Sequence, residues 1–328
     1  MTRLTRVELR RLFSRRLVIL ALLAGVVVTG FFLLTAWTAA QPMTPAEQAQ
    51  AQQWYDDARA DWERNGEQIV AQCRQDEADQ RAQGQDVDFG CDQLGPQPEH
   101  FLTTVQPLAE SLPTTLTLHA FVLLLLAFLV GATATAAELS TGAMTSWLTF
   151  EPRRLRVYGS KVLAAGLGTA PAAVVLLLVL VGGAWLITSG ADAAGSMTAA
   201  AWRATAGTML RILALTVLAA VAGAALGFLL RHTAAVLGLA VGYLVVVEGV
   251  VGSALPRSQP WLVRPNIEGW ILGGTSYSIP DCTTGPQGRM CDLITHELSL
   301  GRSTGYLLVL VAAVVVLAAV VFRRRDVV

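Results

Sequence analysis

The chain reads as an all-α polytopic membrane protein: six transmembrane helices with an amino-terminal amphipathic helix and a disulfide-stapled helical insertion on the outer side. Three observations carry this reading. Of the 328 residues, 53% are hydrophobic and only 15% charged, and several apolar runs reach the roughly 18 residues that a bilayer-crossing helix needs. The charges balance, 24 Lys and Arg against 24 Asp and Glu, but they are segregated along the chain, and that segregation sets the topology. Four cysteines form two close pairs, Cys73 with Cys91 and Cys282 with Cys291, each in a polar segment between apolar runs. Such segments should face an oxidising compartment, and structural disulfides are favoured over zinc because His100 and His296 are the only histidines near either pair. With no basic surplus, nothing points to nucleic acid.

Residues 1–16 hold six arginines (Arg3, Arg6, Arg10, Arg11, Arg15, Arg16) against Glu8, with Leu9, Leu12 and Phe13 at helical spacing. This predicts a basic amphipathic helix on the inner leaflet. Span 1, 17–37, is longer than the core of a signal peptide and is followed by further spans, so it is read as uncleaved. From Gln41 to Pro113 the chain turns acidic, with 14 acids against four arginines. That composition places 41–113 outside as a helical domain. Thr44-Pro45-Ala46-Glu47 is a capping box with proline at the first helical position, opening a helix to about Arg81. Trp54, Ala58, Trp62, Ile69 and Cys73 lie near one face of it and read as packing.

Span 2 covers 116–137 and runs inward. The loop 138–161 that follows carries Arg153, Arg154, Arg156 and Lys161, as an inner loop should. Lys161 is the one lysine in the chain. Spans 3, 4 and 5 are expected at 162–188, 206–230 and 233–254. An external interfacial segment, 255–303, contains Trp261, Trp270 and the second cysteine pair, and reads as short helices at the outer interface. Span 6, 304–322, ends in a basic tail, 323–328, which puts both termini inside.

Two charges fall within apolar runs. Arg211 lies about 8 Å below the outer end of span 4 and Glu248 about 9 Å below that of span 5. Ionisable groups in hydrocarbon are costly unless paired or wetted, so an intramembrane ion pair is expected between them. Gly223-xxx-Gly227 and Gly238-xxx-Gly242 allow close helix approach and are expected inside the bundle.

Motifs that would carry catalysis are missing. Gly159-Ser160-Lys161 lacks the upstream glycine and following hydroxyl of a phosphate-cradling loop, and His296-Glu297 lacks a second histidine four residues after the first. Gly274-Thr275-Ser276 does not have the spacing of a nucleophile elbow. The chain is therefore not expected to be an enzyme or to hold a cofactor or metal of its own.

The order of features in 138–161 resembles the type-2 ABC transporter permease family. Glu138, Gly142, a short apolar helix with Met144, Trp147 and Leu148, then Pro152, Arg153, Arg154 and Lys161 follow the family's order, although Ser140 and Thr141 stand where a basic residue is usual and Ala143 replaces threonine. The resemblance extends to Glu8-Leu9-Arg10-Arg11-Leu12, the large insertion after span 1 and Arg323-Arg324-Arg325 at the end.

It implies the transmembrane permease subunit of an exporter in a bacterial cytoplasmic membrane, paired with a second permease copy or related permease. ATP and Mg would be held by a separate cytoplasmic ABC ATPase subunit docking on 138–161, through Glu138, Gly142, Met144, Trp147, Leu148, Pro152, Arg153 and Arg154. An amphipathic or hydrophobic substrate fits the apolar spans. Three other readings stay open. The loop is a basic connector obeying the inside rule; the chain is a membrane anchor or mechanotransmitting subunit whose external domain acts on a partner protein; or it is a secondary transporter, against which stand the few carboxylates in its spans.

Overall fold

The computed structural model describes residues 2–82, 87–102, 106–191, 195, 197–285 and 288–324, and among these the side chains except those of 2, 3, 281, 283–285 and 288–292. Six of its helices are long and apolar enough to cross a membrane. The chain is a largely helical, membrane-embedded, polytopic protein.

The elements run α1 (Thr2–Phe13), α2 (Arg16–Ala39), α3 (Pro45–Ala82), a 3₁₀ turn at Cys91–Gln93, α4 (Pro98–Leu102), α5 (Leu108–Ser140), α6 (Ala143–Phe150), α7 (Arg154–Gly190), α8 (Ala199–Leu230) and α9 (Thr233–Gly242). A π-helical segment, Tyr243–Val251, then leads through α10 (Gly252–Ala254) and a 3₁₀ turn at Pro256–Trp261 to α11 (Val263–Leu272), strands β1 (Gly274–Gly285) and β2 (Gly288–Ser299), and α12 (Leu300–Arg324). The crossing helices are α2, α5, α7, α8, the α9–α10 run and α12. We call the end carrying α1, α6 and the end of α12 the base, and the end carrying α11 and the hairpin the crown.

Several crossing helices overshoot the spans read from hydropathy. α5 begins at Leu108 and continues through Pro113, because a proline in the second turn removes only one ladder bond. α7 begins at Arg154, so Arg156 and Lys161 belong to its first turns.

The bundle is built on α5 and α8. A Cβ added to Gly131 would run into the Ala220 carbonyl oxygen, and one on Gly223 into that of Phe128. Such contact lets the Thr135 hydroxyl donate across the seam to the Ala224 carbonyl at 2.9 Å. Gly227 belongs to the same seam, so Gly223-xxx-Gly227 packs inside. Gly238-xxx-Gly242 does not: among the described residues nothing lies within 4 Å of a Cβ at either. That expectation is corrected, since α9 lies on the rim of the bundle with Leu239 and Val241 exposed.

Two cores flank the seam. The one toward the crown gathers Leu112, Leu116, Leu177, Leu180, Ile212 and Ile271. At the base, Phe228 stands between Tyr158 and Phe322, with ring centroids at 4.9 and 4.8 Å, and Met144 closes the cluster.

The segment 255–303, expected to be helical, is half β. β1 and β2 pair antiparallel, with Tyr277 opposite His296 and Ser278 opposite Thr295. The Tyr277 and His296 rings stack at 5.5 Å, the cross-strand contact that stabilises a two-stranded ribbon. The register sets Cys282 opposite Cys291; the Cys291 side chain lies outside the described residues, as do residues 325–328 of the tail.

In the insertion, Cys73 and Cys91 are disulfide-bonded. The capping box is formed: the Thr44 N–H donates to Glu47 Oε2 at 2.8 Å, and the Glu47 N–H donates back to Thr44 Oγ1 at 3.3 Å. The apolar stripe along α3 is only partly covered. Trp62 lies against Gly66 and Gly95 and Tyr55 meets Phe101, whereas Trp54 and Ile69 are exposed, because the short returning segment covers only one side of a long helix.

Candidate functional site at the base of the bundle

At the base, four charged side chains from four parts of the chain converge. Lys161 of α7 donates from Nζ to Glu8 Oε2 of α1 at 2.8 Å and to Glu138 Oε2 of α5 at 2.5 Å. Arg15, between α1 and α2, pairs with the other oxygen of Glu138 and donates from Nη1 to the Thr133 carbonyl at 3.1 Å. Two cations meet two carboxylates, so the junction is neutral. Lys161 is only 3% exposed and Glu8 and Glu138 are nearly as buried. Desolvation of such groups is offset only when each charge has its partners, and here each does.

Local sequence places each member. Glu8 falls one turn before Leu12 on the face of α1 that packs on α7, where the Leu12 side chain sits against Gly168. Glu138 is near the end of α5 and Lys161 two turns into α7, so the strands of chain flanking α6 are clamped together under it. α1 also reaches α6 directly, with the Arg11 guanidinium 4.5 Å from the centroid of the Trp147 ring, within cation–π range.

The residues expected to face a partner divide into two sets. Glu138 is committed to the ionic junction, Met144 is fully buried, and Trp147 and Leu148 pack on the basal core. Gly142 takes the left-handed conformation, φ 73°, that turns the chain from α5 into α6, a geometry that favours glycine. Gly142, Pro152 and Arg153 are exposed, with Arg154 half-buried. The large apolar side chain that α6 presents is Phe150, 85% exposed. Sequence reasoning passed over it, yet Met144, Trp147 and Leu148 share one helical face and Phe150, two residues past Leu148, must point away from it. Glu8 was equally legible as the single acid on the apolar side of an arginine-rich helix.

At the crown the expected ion pair is not formed. Glu248 Oε1 accepts from the Val263 N–H at 2.7 Å, the Arg264 N–H at 3.0 Å and the Tyr243 hydroxyl at 2.9 Å. Arg211 Nη1 donates instead to the Ile271 carbonyl at 2.9 Å. Both charges therefore hold α11, the carboxylate at its amino end and the guanidinium at its carboxyl end. The reason is the helix itself. Its N-cap, Leu262, offers no side-chain acceptor, so orphan N–H groups at one end and carbonyls at the other attract opposite charges.

A third polar contact in the spans was not foreseen. Thr29 Oγ1 and His119 Nε2 lie 2.9 Å apart, both buried. Because the Thr29 hydroxyl donates to the Gly25 carbonyl at 2.8 Å, it accepts from Nε2–H, leaving Nδ1 as a lone pair with no hydrogen-bond partner among the described residues. A hydroxyl that acts as acceptor and lacks an open approach is a packing contact, not a nucleophile.

No protein-family model and no curated protein matches this chain.

Proposed function

We propose that the chain is the transmembrane subunit of an ATP-driven exporter, moved by a separate ATPase that docks on α6 at a cytoplasmic base. The observation that carries the reading is the ionic junction of Glu8, Arg15, Glu138 and Lys161, which ties α1 and the start of α2 to α5 and α7, the two helices that the short helix α6 connects. A force applied to α6 reaches three crossing helices through short, buried, charge-assisted bonds rather than through a loose loop. The resemblance of 138–161 to type-2 ABC permeases supports the same reading, as does a second permease to complete a path. In this reading Phe150 is the side chain that enters the ATPase surface, and Met144 and Trp147 are the anchors that fix α6 to the bundle.

The test is to tag the carboxyl terminus, purify the chain gently from its native membrane and identify what accompanies it, while assaying vanadate-sensitive ATP hydrolysis. A stoichiometric ATPase retained by the unaltered chain and lost from Phe150→Ala is the expected result. Absence of any ATPase in several mild detergents overturns the proposal.

One observation favours a second reading, a membrane anchor acting through its insertion: α3 packs mainly on α4 and the 3₁₀ turn at Cys91 and leaves Trp54 and Ile69 uncovered. Under that reading the copurifying protein depends on Trp54 and not on Phe150.

A further inference from the structure

Just above the ionic junction a narrow, partly open apolar cleft lies among α1, α2, α5, α7 and α8. Leu12 and Phe13 of α1 lie at its lower end, Leu22 of α2 and Val130 of α5 along its sides, and Leu123 and Leu176 at its upper end. From Val130 up to Leu123 the slot is about 10 Å long at 1.5 Å per residue. Two hydroxyls sit in its wall, but Thr169 donates to the Ala165 carbonyl at 3.2 Å and Thr216 to that of Ile212 at 2.8 Å. The wall therefore offers carbon to an occupant. A polar guest would leave its own groups unsatisfied there.

A smaller pocket adjoins it below, shares Leu12, and is lined by Glu8, Arg11, Arg15 and Lys161. Glu8 and the adjoining Glu138 are balanced by Lys161 and Arg15, so the exposed Arg11, lying over Trp147, leaves the pocket and the junction together with one positive charge in surplus. An apolar slot directly above a polar pocket of net positive charge matches an anionic amphiphile with its chain along the helices. Arg10 and Arg16, both exposed and next in sequence to Arg11 and Arg15, add positive charge nearby. Basic pockets between crossing helices at the level of the head groups are where anionic lipids lodge, and α1 is an amphipathic helix lying at that level.

We propose that this cleft binds one acyl chain of an anionic phospholipid from the leaflet at the base, with the phosphate on Arg11 beside the Arg15 end of the junction. The lipid fills the angle between α1 and α2 and so fastens α1 to the bundle. The proposal is independent of any ATPase. It requires a chain and a charge together, which separates it from a free phosphate and from a neutral lipid.

The whole chain, purified in mild detergent, is analysed by native mass spectrometry with extraction and identification of retained lipid. One anionic phospholipid per chain is expected. Ala172, half-buried in the cleft wall, becomes phenylalanine in A172F, and retention falls about tenfold or more, equivalent to about 1.4 kcal/mol of binding. R11Q keeps a phospholipid but loses the preference for an anionic head. Should A172F fold poorly, the unaltered chain supplies the answer through thermal unfolding with short-chain phosphatidylglycerol, the matching phosphatidylcholine, or glycerol phosphate. A rise with phosphatidylglycerol well above that with the other two supports the site. Equal shifts, retention in a folded A172F equal to that of the unaltered chain, or a retained molecule that is not a phospholipid each overturn it.

Discussion

The two ends of the bundle solve the problem of charge in an apolar setting differently. At the base, Glu8, Arg15, Glu138 and Lys161 satisfy one another, side chain to side chain, across segments far apart in the chain. At the crown, Arg211 and Glu248 pass each other by, and each satisfies main-chain groups at one end of α11. A mutual network couples several crossing helices, so losing one member strands the rest. A charge held by a helix end positions only that helix, and its loss strands main-chain groups of that helix but no second charge.

The largest difference should appear on removing one cation from each end. Lys161→Met leaves two buried carboxylates with a single partner and should cost about 3–5 kcal/mol, the range for breaking a buried pair. Thermal unfolding in detergent measures it, and adding Glu8→Gln should recover part of the loss. Arg211→Met should cost much less, about 1 kcal/mol, with faster amide exchange confined to α11 and the hairpin. Equal losses would end the contrast.

Reducing the Cys73–Cys91 disulfide, whose cysteines are 18 residues apart, separates both ends from the insertion. In the loop-entropy account it should cost about 3 kcal/mol. Proteolysis ought to show the loss in α3 alone, with the basal and crown transitions unmoved.

Double-mutant cycles sharpen the comparison further. Glu8 and Lys161 should show a coupling of about 0.5–3 kcal/mol, whereas Arg211 and Glu248 should be additive within about 0.5 kcal/mol. Exchanging the two crown charges should rescue nothing, because each would then face the wrong end of α11.

The smallest effect is at Glu47, an exposed cap with neither kind of burial. The Thr44 N–H, then the Thr44 hydroxyl, hold its carboxyl below the usual 4.5. Its support for α3 is therefore complete above that value and fades as the pH drops through the lowered folded value. Amide exchange at Glu47 and its neighbours, followed from pH 6 downward in about half-unit steps, should quicken there while the basal transition stays put.

Much of the architecture was legible because its causes are local. The crossing helices follow from runs of apolar residues, the start of α3 from Thr44 and Glu47, the Cys73–Cys91 bridge from a close pair in a polar stretch. The hairpin was missed because Trp261 and Trp270 drew attention to an interfacial helix, and the alternating Tyr277-Ser278-Ile279 and Ile294-Thr295-His296 only acquire meaning once paired. At the base, the order of residues in 138–161 singled out the segment that contains α6 and Lys161. It did not say which of them face inward, because Met144 and Trp147 are apolar enough for either role.

Sequence by itself determined that the chain crosses a membrane with six apolar helices and an acidic, cystine-bearing insertion, since hydropathy, charge bias and capping act over a few turns. Tertiary structure alone decided where the charges go. Lys161 and Glu8 are 153 residues apart, and a buried charge takes the nearest group of opposite polarity in space, whether a carboxylate from another helix at the base or the end of α11 at the crown.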